Sequence, residues 1–473
     1  MSEAVRPAFA DSRVFDRFRR LAFGLLSVEG RRTITALMEA TGRADCDWSA
    51  DYRVFSRDVW EPTAVFAHLL PALLALHPQN PKILVASLDD TNVRKTGTHI
   101  PGVAYRRDPM SPPFQANLIR AQRFVQASLA VPFGQGPCAV RAIPIAFDHA
   151  PSAGKLSKNA SDQERVAHRE RERTHALSAF GLNAIKRMRS DLDASAANSS
   201  TLLVAVDGSY TNQKILKQLP PRTHLIGRIR KDAVLNRLPA ATGERGRPRS
   251  YGDTLTPEQL RQDDSLPWVS IKIFGAGRVH DCDIKQVSSL LWRKTGTALP
   301  LRLIVIRPLA YRPSKTAKIL YRQPAYLITT DLTSSLQTLV QAYFWRWDIE
   351  VNHRDEKQLI GLGHAQVRAP RSAERAPAFA VASYSMLLIA AAKAFGVAAA
   401  EPVTHRPKWL SSSPKPTRLS TAQLLTRLRN EWARSTTRNA FPNFDHFASD
   451  VARHMKLPKG AISPSDAIRF DMN

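Results

Sequence analysis

The sequence predicts an α/β (α+β) fold in which helices flank a mixed sheet. Three apolar runs of strand length lie close together at 82–90, 123–133 and 139–149, and the turn sequence "GQGP" separates the last two. A helix, a strand, a short helix and another strand then follow up to residue 231. This alternation of strands and helices is typical of a mixed sheet with helices packed on it.

The segment before these strands, residues 1–78, is predicted to form an N-terminal helical domain. In "VFDRFRRLAFGLL" and "RRTITALMEATG" the apolar residues recur at helical spacing, with arginines between them. "SRDVWEPTAVFAHLLPALLALHP" adds another helix, which the His-Pro pair ends. The segment could bind nucleic acid or could be a plain helical cap, and its sequence leaves both open.

The chain is divided into five predicted segments by changes in its pattern. Residues 232–325 begin with a basic loop rich in Gly and Pro and are predicted to be a mostly β insertion. The strand-like pieces that follow the loop are "WVSIKIFG", "RLIVIRPL" and "AYLITTDL". The core therefore has a first part, 79–231, and a second part, 326–400, which holds a long helix at 334–362. Residues 401–473 begin with a linker rich in Pro, Ser and Lys and end in a helical or flexible tail.

The charge of the chain is strongly positive. There are 68 Lys and Arg against 41 Asp and Glu, a formal net charge of +27, whereas the 43% of hydrophobic residues is ordinary for a folded protein. Such a surface attracts nucleic acid, because each neutralised phosphate releases counterions. A membrane is disfavoured, because no run of about 18 apolar residues exists and the N-terminus is polar. The sequence therefore predicts a cytoplasmic nucleic-acid-binding protein.

Carboxylates close two of the predicted strands. Asp89 and Asp90 end the first apolar run, and Asp207 ends "STLLVAVDG" at 200–208. In open sheets flanked by helices, functional residues gather at the carboxyl ends of the strands. We therefore expect these acids to lie at one edge of the sheet.

A third carboxylate, Glu350, lies on the predicted helix 334–362 within a polar stripe. At about 100° per residue, four side chains of this helix project within about 60° of one another: Tyr343, Arg346, Glu350 and Lys357. Three carboxylates on two strands and a helix can hold two divalent cations through hard oxygen ligands. Two such ions about 4 Å apart support an in-line phosphoryl displacement.

The segment "YFWRWDIEVNHRDEK" matches the Y-x2-R-x3-E-x6-K signature of a large group of bacterial insertion-sequence transposases, in all four positions and all three spacings. "LDDTNVRKTG" resembles the first-acid motif of that group, and "LLVAVDGSY" resembles its second. The resemblance covers roughly residues 80–400, and more weakly the N-terminal helices. It implies an RNase H-like catalytic core and metal-dependent cleavage and strand transfer of DNA at the ends of a mobile element.

The resemblance also implies roles for residues. Asp89, Asp207 and Glu350 become a DDE triad that binds two Mg²⁺ or Mn²⁺ ions, and Tyr343, Arg346 and Lys357 become contacts to DNA phosphates. The implied partners are double-stranded DNA, both terminal inverted repeats and target, and a second copy of the chain in the DNA complex. The expected location is the bacterial nucleoid.

The first acid can be assigned in two ways, to Asp89 or to its neighbour Asp90. Strand alternation sends the two side chains to opposite faces of the sheet. The Asp-x-Thr pattern of the group favours Asp89, because Thr91 then completes it. Asp90 would in that case cap the turn.

Further candidates are basic or aromatic residues near these motifs. Five cations could contact phosphates or could be solvated loop charges, and both alternatives stay open: Arg94, Lys95, Arg228, Arg230 and Lys231. Trp268 and Trp292 lie in the insertion, where core packing is favoured over stacking on a base.

Two other functions are compatible with the sequence. One is a transposase-derived DNA-binding regulator without catalysis, against which the intact acids argue. The other is a different RNase H-like nuclease, such as a resolvase, which the Y-R-E-K helix and the insertion disfavour.

Overall fold

Ten strands form one mixed sheet, with helices on both faces, in the part of the chain that the computed structural model describes. The described residues are 2–78, 81–97, 99–108, 111–112, 114–115, 117–239, 249–311, 318–397 and 418–440. The predicted fold class, a mixed sheet flanked by helices, is confirmed.

The strands have the following bounds: β1 Ile83–Arg94, β2 Ala104–Arg107, β3 Leu118–Pro132, β4 Val140–His149, β5 Thr201–Val206, β6 Thr223–Arg228, β7 Leu235–Asn236, β8 Thr254–Leu255, β9 Val269–Gly275, β10 Arg278–Leu290, β11 Leu301–Ile306, β12 Ala310–Tyr311, β13 Leu320–Tyr321 and β14 Ala325–Thr329. The pairs β7–β8 and β12–β13 form small separate sheets.

A 3₁₀ helix, Ser2–Ala8, and a π-helical turn, Glu356–Ile360, accompany twelve described α-helices. Their bounds are α1 Ser12–Ser27, α2 Ile34–Glu39, α3 Ser49–Ser56, α4 Pro62–Leu74, α5 Asp162–Thr174, α6 Leu177–Asp193, α7 Gln213–Leu216, α8 Pro257–Gln262, α9 Leu336–Trp345, α10 Trp347–Asp355, α11 Pro370–Phe395 and α12 Thr421–Ala440.

The first five core strands have the connectivity of an RNase H-like sheet. β4, β3 and β1 are antiparallel neighbours, and β5 and β6 then follow on the other side of β1, both parallel to it. β14, β11, β10 and β9 continue the same sheet beyond β6. The strands of the predicted insertion thus extend the same sheet.

Strand β10 lies where no strand was predicted. Its sequence "RVHDCDIKQVSSL" mixes charged with apolar residues, because only positions such as Cys282 and Ile284 are fully buried. It is the central strand of the added part and pairs with β9 and β11. The apolar pattern used for prediction was therefore too strict for a strand with one partly exposed face.

The two faces of the sheet pack against different helices. Leu84, Ala86 and Leu88 of β1 belong to the core that contains α6 and α11, whereas Val85 belongs to the core that contains α9. Side chains at odd positions of β1 therefore face α9, and those at even positions face α6.

The N-terminal helices pack on α11 through aromatic rings. Phe18 and Phe55 both contact Phe379 of α11, with ring centroids 5.1 and 5.2 Å apart. The buried Arg375 of α11 also donates to Glu61 at 2.9 Å. The N-terminal helices therefore cover α11.

Helix α11 is long and apolar enough to cross a membrane by length and composition alone. Its most apolar window is 89% buried inside the protein, which is typical of a core helix. It lies at Pro370–Phe395, within the second part of the predicted core.

Residues 401–417, in the predicted linker, and the tail after residue 440 lie outside the described residues. Helix α12 lies within the predicted C-terminal region. The boundaries of the five predicted segments stay predictions.

Candidate active site

Asp89 and Asp207 lie side by side on neighbouring parallel strands. Leu88 of β1 is paired with Val206 of β5, so the next residue on each chain is the acid. Both acids occupy odd positions, and their side chains therefore point to the face that α9 covers. The register of two apolar strands thus places two predicted site residues together.

Asp90 points to the opposite face of the sheet. Its Oδ1 accepts a hydrogen bond from the buried Tyr210 hydroxyl at 3.5 Å, and Tyr210 belongs to the core around α6. Burial raises the pKa of Asp90, and the guanidinium of Arg123 acts against that rise. Asp90 is therefore separated by the sheet from the helix that carries Glu350.

Arg346 joins Asp89 to Glu350. Its Nη1 lies 3.2 Å from Asp89 Oδ2, and its Nη2 lies 2.9 Å from Glu350 Oε1. The Arg346 side chain is only 13% exposed, against 36% for Glu350. The two nitrogens of the guanidinium therefore bridge the acids on the less exposed side of Glu350. The structure thereby brings the first and third predicted acids to one cation.

The electrostatics at Asp89 reflect this crowding of acids. Burial raises the pKa of Asp89 to about 7, the positive charge of Arg346 lowers it, and the negative charge of Asp207 raises it further. A carboxyl group with such a pKa is partly protonated near neutral pH. A cation that binds it must therefore displace a proton as well as the arginine.

Asp207 is also held by its own loop. Its Oδ1 accepts the backbone N–H of Ser209 at 2.8 Å, and its carbonyl accepts the Thr211 hydroxyl at 2.8 Å. This is the turn chemistry that the "DGS" sequence indicates. It leaves the acid on a fixed turn at the end of β5.

Tyr343 and Arg346 lie against each other, as the predicted stripe requires. The Arg346 Cζ is 5.9 Å from the centre of the Tyr343 ring. Burial raises the pKa of Tyr343, while the charges of Arg346 and Arg228 lower it, so Arg228 is also near this ring. The hydroxyl thus lies among cations beside the acids.

The helix predicted at 334–362 is interrupted twice. α9 and α10 meet at Arg346, and the π-helical turn that contains Lys357 follows α10. The wider winding of this turn shifts Lys357 away from the stripe that a regular α-helix would form. Burial lowers the pKa of Lys357, and the neighbouring Glu356 raises it. Asp89 and Arg94 also influence this pKa, so the ammonium group remains near the site.

The flanking cations have different surroundings. Arg94 is paired with Asp108 at 2.6 Å but is 68% exposed, and Arg228, Arg230 and Lys231 are exposed at the end of β6. Arg228 follows Gly227, the partner of Val206, and is therefore level with Asp207. These four side chains can all be reached by a polyanion.

Lys95 is an exception among the predicted DNA contacts. It is only 9% exposed, and its ammonium donates to the carbonyls of Gly363 and Ala365 at 3.1 and 3.3 Å. The sequence could not distinguish this position from the exposed Arg94 beside it. We assign Lys95 to holding the loop after the π-helical turn.

Two buried polar residues next to Asp89 could not be identified from the sequence. Gln126 of β3 is the register partner of Asp89, and Glu356 of the π-helical turn lies against it; both are fully buried. Burial raises the pKa of Glu356 to about 8, and the Gln126 amide acts against this rise. An acid six residues after Glu350 would be read as exposed on a regular helix, so only the three-dimensional packing reveals it.

The two tryptophans of the added part differ. Trp292 is buried in the core, as favoured, whereas Trp268 is half-buried between Lys285, 4.7 Å away, and Arg307, 5.6 Å away. Both neighbours are cations that pack on its ring.

The acids Asp89, Asp207 and Glu350 are the predicted ligands of a divalent cation. Among the described residues, no three His, Cys, Asp or Glu side chains stand together closely enough to enclose a metal ion in this arrangement. The guanidinium of Arg346 occupies the position between Asp89 and Glu350, where it is a stand-in cation. Carboxylate oxygens are the hard donors that Mg²⁺ and Mn²⁺ prefer, so the chemistry of this donor set fits either ion.

A family model described as "DDE superfamily endonuclease" matches residues 7–290, which is more than half of the chain. The match includes Asp89 and Asp207 and ends before α10, so Glu350 lies outside it. No curated protein matches the chain.

Proposed function

Because the chain belongs to the DDE superfamily of endonucleases, we propose that it is a transposase that cuts the ends of an insertion sequence and joins them to target DNA. Enzymes of this superfamily act on DNA and generally use divalent metals. One observation carries the assignment of the site. A single guanidinium, on a side chain that is only 13% exposed, contacts both Asp89 and Glu350, while Asp207 stands beside Asp89 at the end of the next strand.

Asp89, Asp207 and Glu350 are the residues proposed to hold Mg²⁺ or Mn²⁺, two ions for each site. When bound, such ions activate a water or a 3′-hydroxyl and stabilise the leaving oxygen of a phosphodiester. The protein contributes the register of β1 and β5, which fixes the positions of Asp89 and Asp207. It also contributes helix α10, which carries Glu350. Asp90 is not part of this set, because its side chain lies on the other face.

Arg346 has two states in this proposal. Without DNA it neutralises Asp89 and Glu350, and with DNA it turns to a phosphate of the cleaved strand. Tyr343, Lys357, Arg94 and the three cations after β6 would contact neighbouring phosphates. Their surroundings support this, since all lie at the edge of the sheet that carries the acids.

The remaining parts of the proposal concern partners and location. The DNA substrates are terminal inverted repeats and a target duplex, and two copies of the chain would act on two ends. The expected place of action is the bacterial nucleoid in the cytoplasm.

The test is a cleavage and strand-transfer assay on DNA that carries the sequences flanking the gene. We expect the wild type with Mg²⁺ or Mn²⁺ to cut and join. Asp207→Asn and Glu350→Gln should each lose both steps while they still bind DNA. Asp281→Asn is the matched control, because Asp281 is a 75% exposed carboxylate on β10.

Each contrary result has a distinct meaning. Cleavage at the wild-type rate by both triad variants would remove these acids from the site. Metal-independent binding with no cleavage would favour a DNA-binding regulator. Hydrolysis without strand transfer would favour another RNase H-like nuclease.

A further inference from the structure

Helix α10, which carries Glu350, has a second polar face on its other side. At about 100° per residue, the side chains of Asp348, Asn352 and Asp355 project within about 60° of one another. Glu350 lies about 140–160° away from them around the helix. Asn352 and Asp355 are buried, and Asp348 is half-buried. These three residues form the rear face of α10, which is packed against the protein.

Residues 418–421 form a strap that contacts both ends of this rear face. The Nη2 of Arg418 lies 2.7 Å from Asp348 Oδ1. The Thr421 hydroxyl donates to Asp355 Oδ2 at 2.7 Å. Asp348 and Asp355 are separated by about 10 Å along the axis at about 1.5 Å per residue, so the strap runs along the helix.

The sheet holds the rear face between these two ends. The buried Asn352 amide donates to the Ser128 hydroxyl at 3.2 Å and to the Ala142 carbonyl at 3.1 Å. Ser128 belongs to β3 and Ala142 belongs to β4. Helix α10 is thus bound by directional polar contacts at its start, its middle and its end.

The start of the strap is held in place by strand β4. Arg418 uses its other terminal nitrogen, Nη1, to donate to the Val140 carbonyl at 2.6 Å. The buried Arg141 donates to the Leu419 carbonyl at 2.8 Å. The guanidinium that faces Asp348 is therefore fixed on the sheet as well as on the helix.

The end of the strap is held by a buried chain of polar groups. Thr421, Tyr384 and Asp355 are all buried, and the hydroxyls of Thr421 and Tyr384 are 3.1 Å apart. Because Thr421 donates its one proton to Asp355, the Tyr384 hydroxyl donates to Thr421. Loss of the Thr421 hydroxyl would remove a partner from two buried polar groups.

Helix α12, which begins at Thr421, anchors the strap to the N-terminal helices. Arg429 donates to the carbonyls of Leu26 and Val28 at 3.2 and 2.9 Å. The rings of Trp432 and Phe23 have their centroids 4.3 Å apart. The strap therefore cannot slide along α10 unless these contacts also change.

We propose that the strap positions Glu350, and that Arg418 and Thr421 are positioning residues for this acid. Their contacts fix α10 along its axis and in its rotation, and Glu350 projects from the opposite side of the same helix. Hydrogen-bonded contacts restrict rotation more narrowly than apolar packing does, because they have a preferred direction. The inference rests on the proposed DNA-cleaving function and adds to it the part of the chain that holds the third acid in place.

The test variants change the two ends of the strap one at a time. Arg418→Gln removes the charge that faces Asp348, whereas Arg418→Lys keeps a charge there. Thr421→Val removes the hydroxyl that donates to Asp355 and preserves the shape of the side chain. Each full-length protein is assayed for its cleavage rate constant at saturating DNA with Mg²⁺ and for its DNA dissociation constant.

Arg222→Gln is the matched control, because it removes another arginine from an ion pair with an aspartate. Arg222 lies 2.5 Å from Asp193. It precedes β6, whose other end is level with Asp207, so it lies at the far edge of the sheet from the acids. This variant should cleave at the wild-type rate.

We expect Arg418→Gln to lower the cleavage rate constant by about 10–100-fold, because a displacement of about 1 Å at a catalytic site can cost about 100-fold. Thr421→Val should lose about tenfold, and Arg418→Lys should stay within about threefold of the wild type. The DNA dissociation constant should change by less than about twofold in each variant. The double variant Asp348→Asn/Arg418→Gln should lose no more than the worse single variant, since the two side chains act as one pair.

Hydrogen exchange without DNA gives a second readout that needs no cleavage. The amides of α10 should exchange about tenfold faster or more in Arg418→Gln, while those of β5 keep their protection. Arg222→Gln should leave the exchange of α10 unchanged. Circular dichroism confirms that each variant is folded, and Thr421→Val decides alone if Arg418→Gln does not fold.

The outcomes separate the two proposals. If the wild type does not cleave DNA, the proposed function fails, and unchanged exchange of α10 in Arg418→Gln would overturn the strap as well. If the wild type cleaves and both Arg418→Gln and Thr421→Val cleave at its rate, the strap does not position Glu350. An equal loss of DNA binding and cleavage, or an equal loss in Arg222→Gln, would show a general structural effect and would also overturn the proposal.

Discussion

The protonation of Asp89 should control how tightly the site takes up a metal ion. Burial, opposed by Arg346 and assisted by Asp207, raises the pKa of Asp89 to about 7 from an ordinary 3.8. Only the carboxylate form is a ligand, so protons compete with the metal. The sign is therefore fixed: affinity rises with pH and levels off above the pKa.

The expected size follows from simple competition at one site. Relative to the limiting value, the dissociation constant for Mn²⁺ should be about elevenfold larger at about pH 6, about twofold larger at about pH 7 and within about 10% at about pH 8. An aspartate with an ordinary pKa would give a flat profile over this range. Titration calorimetry without DNA measures the profile directly, and buffers of different ionisation enthalpy report the released proton.

The Arg346→Gln variant provides the internal check. Because Arg346 favours the charged form of Asp89, its removal should move the midpoint of the profile to higher pH. A flat profile in the wild type, or binding without proton release, would refute the assignment of Asp89 as a buried, metal-coupled acid.

Three further predictions concern the frame of the site and its metal. Glu356→Gln should stabilise the protein at high pH. The pKa of Glu356 is raised to about 8 in the folded state, so the wild type loses stability as the pH rises from the unfolded pKa to about 8, by up to about 1.4 kcal/mol per pH unit. Urea unfolding at about pH 5 and about pH 8.5 measures this, and an equal free energy of unfolding for wild type and variant at both values would show that Glu356 is not buried. Gly227→Ala should cost about 1–3 kcal/mol, because an added Cβ would collide with Thr211 and Val206 beside the Asp207 turn, and unchanged urea unfolding would contradict this packing. Chelation with EDTA should abolish cleavage and leave anisotropy-measured DNA binding in place, whereas cleavage that persists would exclude a metal-dependent site.

Much of the site follows from local sequence patterns. Asp207 follows the apolar strand β5, and Asp89 comes directly after the part of β1 that pairs with β5, although β1 itself continues to Arg94; the register of the two strands brings the acids together. Arg346 and Glu350 are four residues apart on one helix, which makes their contact predictable from spacing alone. The choice between Asp89 and Asp90 also follows from strand alternation once one face is known.

What the sequence could not provide depends on distant contacts. The buried state of Lys95 is set by carbonyls more than 260 residues away in the chain, and that of Glu356 by the π-helical turn. α5 carries almost no apolar period, so only the capping sequence of Ser161 and Glu164 could have indicated a helix there. β10 was missed because one of its faces is polar and exposed.

The central claim, that Asp89 and not Asp90 is the first metal ligand, can be tested by exchanging its oxygen ligand for sulfur. Thiolate binds softer Mn²⁺ better than Mg²⁺. We predict that Asp89→Cys loses DNA cleavage in Mg²⁺ and regains it in Mn²⁺, as Asp207→Cys should, while Asp90→Cys cuts similarly with both ions. Mn²⁺-specific rescue of Asp90→Cys, together with metal-indifferent cleavage by Asp89→Cys, would contradict the proposed site.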